Sequence, residues 1–213
     1  MYIDKSKKIV IKIGSSILID KKGKLKKRWL KELAKDVKSL IKKKKKVIIV
    51  SSGAIALGCE YLGIKKKGLK IDKSQAVASI GQIVLMDFYK KNFDIDKIKI
   101  SQILLTLDDT EERRRSINAK RTLENLFKID YIPIVNENDT IATSEIKFGD
   151  NDRLASRVAQ ITNADTLILL SDVDGLFTKN PKKYKNAKLI KEVKDLIKDT
   201  KNINLKGMTE FGS

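Results

Sequence analysis

The chain has 213 residues, enough for one domain with a sizeable core, and 41% of them are hydrophobic, as in an ordinary folded protein. It contains no histidine, which excludes a Ser-His-Asp triad, imidazole proton relays and His-containing metal sites together. A formal charge of +19 raises nucleic-acid binding as a function, yet the cations are mostly lysines, scattered or in runs such as 42–46. Lysine lacks the bidentate fork of arginine, so a Lys-biased surface over an enzyme is the better expectation.

No apolar stretch approaches the ~18 residues of a membrane span. The opening MYIDKSKKIVIKIG runs straight into a strand-like pattern, without the long apolar region of a secretory signal. The one cysteine, Cys59, has no partner for an internal disulfide, so a reducing cytoplasm is the expected compartment.

In chain order, the first apolar run is KKIVIKIGSS at 7–16, and Leu25 to Lys43 follows with apolar residues at three- and four-residue spacing, a helix. KVIIVSSGA (46–54) is a second strand, leading into a helix, AIALGCEYLG, that Ser51 or Ser52 would cap. Ser74 is expected to cap a helix with Val77, Ile80, Val84, Leu85 and Phe88 on one face, a stripe that suits either core or an interface. KIKISQILLT (97–106) is a third strand, and Thr110 is expected to cap the helix that runs to about Phe127. Within it Arg113, Arg114 and Arg115 follow two glutamates and predict a solvated, self-paired face.

YIPIVNEND (131–139) and TLILLSDVDG (166–175) complete the strands, with a helix from about Asn151 to Thr162 between them. The remaining stretch, 178–206, reads as a polar excursion with one helix near 190–199. Five nearly continuous Ile/Val runs predict strands buried on both faces. Their alternation with helices predicts an α/β chain with a three-layer αβα sandwich on a mainly parallel sheet. In such sheets ligands bind outside the carboxyl ends of the strands. Those ends here carry GSS, SSG, NEND and SDVDG.

The usual phosphate-binding signatures, G-x-G-x-x-G and G-x-x-x-x-G-K-[ST], are absent. Lys12 stands inside an otherwise apolar strand, and burial there demands an anionic partner unless the strand is an exposed edge. Gly14 and the two serines after it offer backbone amides to a phosphate. The stretch 136–152, NENDTIATSEIKFGDND, holds three Asn, three Asp and two Glu, and Asp150-Asn151-Asp152 exceeds the needs of a helix cap. Ser171-Asp172 suits a plain turn or a nucleotide contact.

Taken in order, VIKIGSS (10–16), VSSGAIALG (50–58), VNENDTIAT (135–143), FGDNDRLAS (148–156) and LLSDVDGLFT (169–178) resemble the amino acid kinase family. Within it they are most similar to the members that phosphorylate L-glutamate on its side-chain carboxylate, the first step of proline biosynthesis. The resemblance implies ATP as phosphoryl donor, with Mg²⁺ on its phosphates. It places Lys12 at the transferring group, Gly14, Ser171 and Asp172 against the nucleotide, and Ser52, Asp139, Asn151 and Asn136 around glutamate. Asp152 would orient the catalytic lysines, with Asp150 the alternative. It further implies a homo-oligomer, dimer or tetramer, with proline as a feedback inhibitor. Sister kinases acting on N-acetylglutamate, aspartate or a nucleoside monophosphate are the nearest alternative, and the NENDTIAT/GDND pairing argues against them. The closing GMTEFGS resembles the start of a glycine-rich segment that ends, in the family, in a second catalytic lysine. Residues 1–213 are accordingly expected to be a kinase domain incomplete at its C-terminus, without an RNA-binding-like domain behind it. Either an inactive fragment or a basic nucleic-acid module is the reading left if no kinase chemistry is present.

Overall fold

All five apolar runs become strands of one parallel sheet in the computed structural model, which describes residues 2–20, 23–142 and 150–195. These are β1 (Lys8–Ile13), β2 (Lys46–Ser51), β3 (Lys99–Leu105), β4 (Tyr131–Glu137) and β5 (Thr166–Leu170), in the spatial order β3-β4-β2-β1-β5. The three inner strands are almost wholly buried, as continuous Ile/Val runs require. β3 and β5 form the edges of the described sheet and are only partly covered, Leu169 being 52% exposed. Burial on both faces, expected of all five runs, therefore holds for β1, β2 and β4 alone.

Eight helices flank the described sheet: α1 (Tyr2–Lys5), α2 (Ser15–Leu18), α3 (Lys27–Lys42), α4 (Ala54–Leu62), α5 (Ile71–Phe93), α6 (Leu107–Glu111), α7 (Arg113–Lys128) and α8 (Asp150–Thr162). The two-residue alternation of strand side chains sorts them into layers. Ile9, Ile11 and Ile13 of β1, with Val47 and Ile49 of β2, pack against Leu30 and Val37 of α3 and Leu85, Tyr89 and Phe93 of α5. Val10, Ile48 and Val50 turn the other way, onto Leu123 of α7 and Leu154 and Val158 of α8. The chain leaves β1 and β2 over the first face and β3 and β4 over the second, so the loops diverge at the carboxyl edge and open a crevice there.

Helix α5 lies against α4 more closely than side chains would permit. A Cβ on Gly81 would stand 1.8 Å from the Ala54 carbonyl oxygen, and one on Gly58 2.1 Å from that of Val77. Two glycines facing each other's backbones thus fix the depth of α5, and with it the side chains that α5 sends toward the sheet edge. Val77, Leu85 and Phe88 of the apolar stripe are core.

The starts of α5, α6 and α7 differ from the sequence expectation. α5 starts at Ile71 with Lys70 before it, so Ser74 lies inside the helix and not at its cap. Thr106, not Thr110, caps the next helix: its hydroxyl accepts from the Asp109 amide while Asp109 accepts from the Thr106 amide, a reciprocal box that Thr110 cannot form from within α6. Glu112 then caps α7 separately. Of the helix expected near 190–199, residues 190–195 are irregular and 196–199 lie outside the described residues, as do the closing GMTEFGS and residues 143–149. The arginines of 113–115 are exposed, and Arg115 pairs with Asp109 and Glu112 as expected of a solvated face. The lysine run 42–46 has local work: Lys45 donates to the carbonyls of Ile3, Asp4 and Ser6, and Lys46 stands over the Phe127 ring.

Candidate active site

Strand parity dictates where Lys12 points. It shares a face with Val10, toward α8, but lies two residues further along, where the apolar layer ends and the crevice begins. Its register partners are Val50 and Leu169, so β1 is no edge strand and the exposed alternative for this lysine is set aside. The side chain is 12% exposed, and its ammonium meets Oδ1 of Asp152, in the first turn of α8, at 2.7 Å. That oxygen takes no hydrogen bond besides this ion pair among the described residues. A buried ammonium needs such a partner, and the arrangement leaves its remaining hydrogens for another anion.

Ser52 and Asn136 follow from the same parity. Ser51 turns to α5, where its hydroxyl accepts from the buried Tyr89 hydroxyl at 3.0 Å. Ser52, one residue on, turns to α8. Neither serine caps α4; Gly53 holds that position with φ of 111°, and no side chain bonds the helix end. The hydroxyl of Ser52 is instead engaged across the crevice, accepting from the Asn151 amide at 3.0 Å. The same Asn151 nitrogen donates to Oδ1 of Asn136 at 3.3 Å, and Asn136, 2% exposed, donates in turn to Oε1 of Gln82 on α5 at 2.8 Å. The carboxyl ends of β1, β2 and β4 and the first turn of α8 are thereby joined in one polar cluster.

Asp139 lies just beyond, half-buried, on the wall of a cavity of about 200 Å³ shared with Gln82, Ile83, Leu104, Asn138 and Thr140. Loss of water around its carboxyl pushes its pKa from 3.8 up to about 6. It has no cationic partner among the described residues. On the other side of Lys12, Gly14 is buried, and its amide donates to the Leu170 carbonyl at 3.2 Å, tying the turn after β1 to the end of β5. Ser171 and Asp172 continue from there and are exposed. Asp172 pairs with Lys182 at 2.7 Å, and that bond, helped by the nearby charge of Lys26, holds its carboxyl below the usual range. Lys26 itself reaches the Ser16 carbonyl at 2.7 Å. The Asp150 side chain lies outside the described residues, so the pairing of Lys12 is known for Asp152 alone.

A model described as the amino acid kinase family matches residues 7–210. The chain belongs to the amino acid kinase family. This amino acid kinase is 68% identical over 213 residues to a glutamate 5-kinase from Pelagibacter ubique (strain HTCC1062), which covers 100% of this chain and 58% of that one. It is 52% identical over 194 residues to a glutamate 5-kinase from Rhizobium rhizogenes (strain K84 / ATCC BAA-868), covering 91% of this chain and 50% of the relative. The chain thus spans half to three-fifths of the length of these curated relatives. In fold it is similar to the UMP kinase of Bacillus anthracis, with a TM-score of 0.56 over 86% of this chain and 72% of that one, at 19% identity.

The sequence does not single out Gln82, which belongs to the cluster in this amino acid kinase, or Tyr89, which holds Ser51 beside it. Gln82 and Tyr89 sit at buried positions of an apolar helical stripe, beside Ala78, Leu85 and Phe88. A glutamine at a core position was the available signal, because a buried amide needs a polar partner from elsewhere in the fold.

Proposed function

We propose that this chain transfers the γ-phosphoryl group of ATP to the side-chain carboxylate of L-glutamate, as its curated relatives' name describes. The observation that carries the reading is the meeting, at one sheet edge, of the Lys12–Asp152 pair with the Ser52–Asn151–Asn136 cluster. A cation for phosphoryl oxygens and a neutral polar cradle for an amino acid share one crevice. In this reading Lys12 lies on the transferring phosphoryl group and Asp152 holds its ammonium in place until the nucleotide arrives. Ser52, Asn151 and Asn136 position glutamate, and Asp139 pairs with its α-ammonium. Gly14, Ser171 and Asp172 lie along the nucleotide, which fits the joining of the β1 and β5 ends.

The chemistry asks little else of the protein. The glutamate side chain has a reference pKa near ~4.3, so the nucleophile is an anion at neutral pH and needs no general base. One carboxylate oxygen attacks the γ-phosphorus, the bond to the bridging oxygen breaks, and ADP leaves with the electron pair. Two anions must be held in line while charge moves to the leaving oxygen, which is work for positioned cations rather than for proton transfer. Among the described residues no three His, Cys, Asp or Glu side chains gather to hold a metal ion. Mg²⁺ enters this reading as part of the substrate, carried on the ATP phosphates.

The rest of the reading follows the family: residues 1–213 are part of an amino acid kinase domain, incomplete at its C-terminus, in a cytoplasmic enzyme assembled as a homo-oligomer and inhibited by proline. Sedimentation velocity tests the assembly. The activity is tested with ATP, L-glutamate and hydroxylamine, which traps an acyl phosphate as its hydroxamate. Hydroxamate that depends on both ATP and L-glutamate supports the proposal; turnover with N-acetylglutamate and none with L-glutamate overturns it.

A further inference from the structure

The amide chain at the sheet edge has a direction, and the direction decides what the pocket presents. Gln82 accepts from Asn136 through Oε1, Asn136 accepts from Asn151 through Oδ1, and Asn151 also donates to Ser52. Both donor bonds of Asn151 are therefore spent on the protein. Its Oδ1 is left buried with no partner among the described residues, an acceptor that the network does not use. The Ser52 oxygen accepts, so its hydroxyl hydrogen is available to an anion. If the chain ran the other way, Asn151 would offer N–H in place of oxygen, and an ammonium group would meet a donor. The two ends of an amide are alike in shape, so only the surrounding network distinguishes the two directions.

We propose that Gln82 is the positioning residue that sets this direction, and through it the preference of the pocket for an amino acid with a free ammonium group. Gln82 touches no reactant in this proposal; it acts through Asn136. Its own Nε2 is buried without a partner, and the residue, 8% exposed, lines the cavity that carries Asp139. Two carboxylates, Asp139 and Glu137, line that cavity; neither bonds Nε2, and their negative field favours the N–H end of Gln82 on that side, which turns Oε1 to Asn136. The rotation of α5 is fixed in turn by the backbone contact at Gly81, the preceding residue. An amide left partly unsatisfied in a core is costly, and its place at the head of this chain is the physical reason for keeping it. The inference rests on the glutamate reading above for its ligand, though not for the hydrogen bonds themselves.

The test compares the full chain with Gln82→Met, which keeps length but cannot accept, and Gln82→Glu, which can only accept. Two readouts are taken: exchange protection of the Asn136 side-chain amide by NMR, and calorimetric affinity for L-glutamate and for ATP. Gln82→Met is expected to lose the Asn136 protection and to weaken L-glutamate about tenfold or more, with ATP affinity within about twofold of the parent. Gln82→Glu is expected to keep the protection and to bind L-glutamate at least about threefold more tightly than the Met variant. Protection that survives in Gln82→Met, parallel losses for ATP and glutamate, or a Glu variant no better than Met overturns the proposal. Should Gln82→Met fail to fold, Gln82→Asn, too short to reach Asn136, carries the same expectations. A parent chain that binds no L-glutamate sinks the substrate reading, while the NMR arm still decides whether Gln82 orients Asn136.

Discussion

Replacing Asp139 with asparagine separates what this residue does for binding from what it costs the fold. The carboxyl is half-buried, has no cation beside it among the described residues, and titrates near 6 in place of 3.8. A folded-state pKa above the unfolded one means that the folded chain holds this proton more tightly. The stabilisation is complete below about pH 4 and is lost as the pH rises through about 6. At pH 7.5 a shift of this size corresponds to at most about 3 kcal/mol, and the remaining water around the carboxyl reduces it to about 1–2 kcal/mol. Asp139→Asn is isosteric and neutral, so it should raise the melting temperature at pH 7.5 by about 3–6 °C, with the gain closing toward pH 4. The same substitution removes the counter-charge for the α-ammonium and should weaken L-glutamate about tenfold or more. Thermal melts from pH 4 to 8, with and without L-glutamate, read both effects. An Asn variant that melts below the parent at pH 7.5, or a difference that does not change with pH, refutes the reasoning.

Lys12→Met keeps the buried stem and removes the ammonium; turnover should fall about a thousandfold in the hydroxamate assay while the melting temperature shifts by no more than a few degrees. Asp152→Asn leaves the shape of the first turn of α8 and loosens only the lysine, so kcat should fall about ten- to a hundredfold with the KM for L-glutamate within about threefold. Its loss also strips the Lys12 ammonium, only 12% exposed, of its counter-charge, so a urea melt should show a destabilisation on the order of 1–3 kcal/mol. Gly81→Ala forces a methyl group into the Ala54 carbonyl and should cost about 3 kcal/mol or more, or prevent folding; a circular dichroism melt unchanged from the parent contradicts the close α4–α5 approach.

The sheet was legible because strands leave a local mark. Runs such as KIVIKI and KVIIVS are too short and too rich in Ile to be anything but buried strands, and each became one. The edge at β5 was not legible, since TLILL is as apolar as the inner strands and only the pairing order separates them, whereas Ser101 and Gln102 inside KISQILL already mark β3 as less buried. Helix starts were misread where two candidate caps stood close together. Thr106 and Thr110 both precede apolar stretches, and the Asp109 side chain, which closes the box on Thr106, decided between them. In the candidate site, Lys12, Ser52, Asn136 and Asn151 stood out as polar residues at strand and helix ends, and the fold gathers them. Asp172 also stood out, but its pairing with Lys182 depends on a long irregular excursion that carries no periodicity. Gln82 was hidden because a helical stripe shows position along the helix and not the partner it meets across the sheet edge.

Whether one crevice clasps both reactants is decided by a crystal structure of this chain with L-glutamate, Mg²⁺ and a non-hydrolysable ATP analogue. A glutamate side-chain oxygen is expected ~3–3.5 Å from the terminal phosphorus, with the Lys12 ammonium on the phosphoryl oxygens and the α-ammonium at Asp139 and Asn151. Glutamate bound away from Asn151 and Ser52, or phosphates that leave Lys12 closed on Asp152 alone, contradicts it.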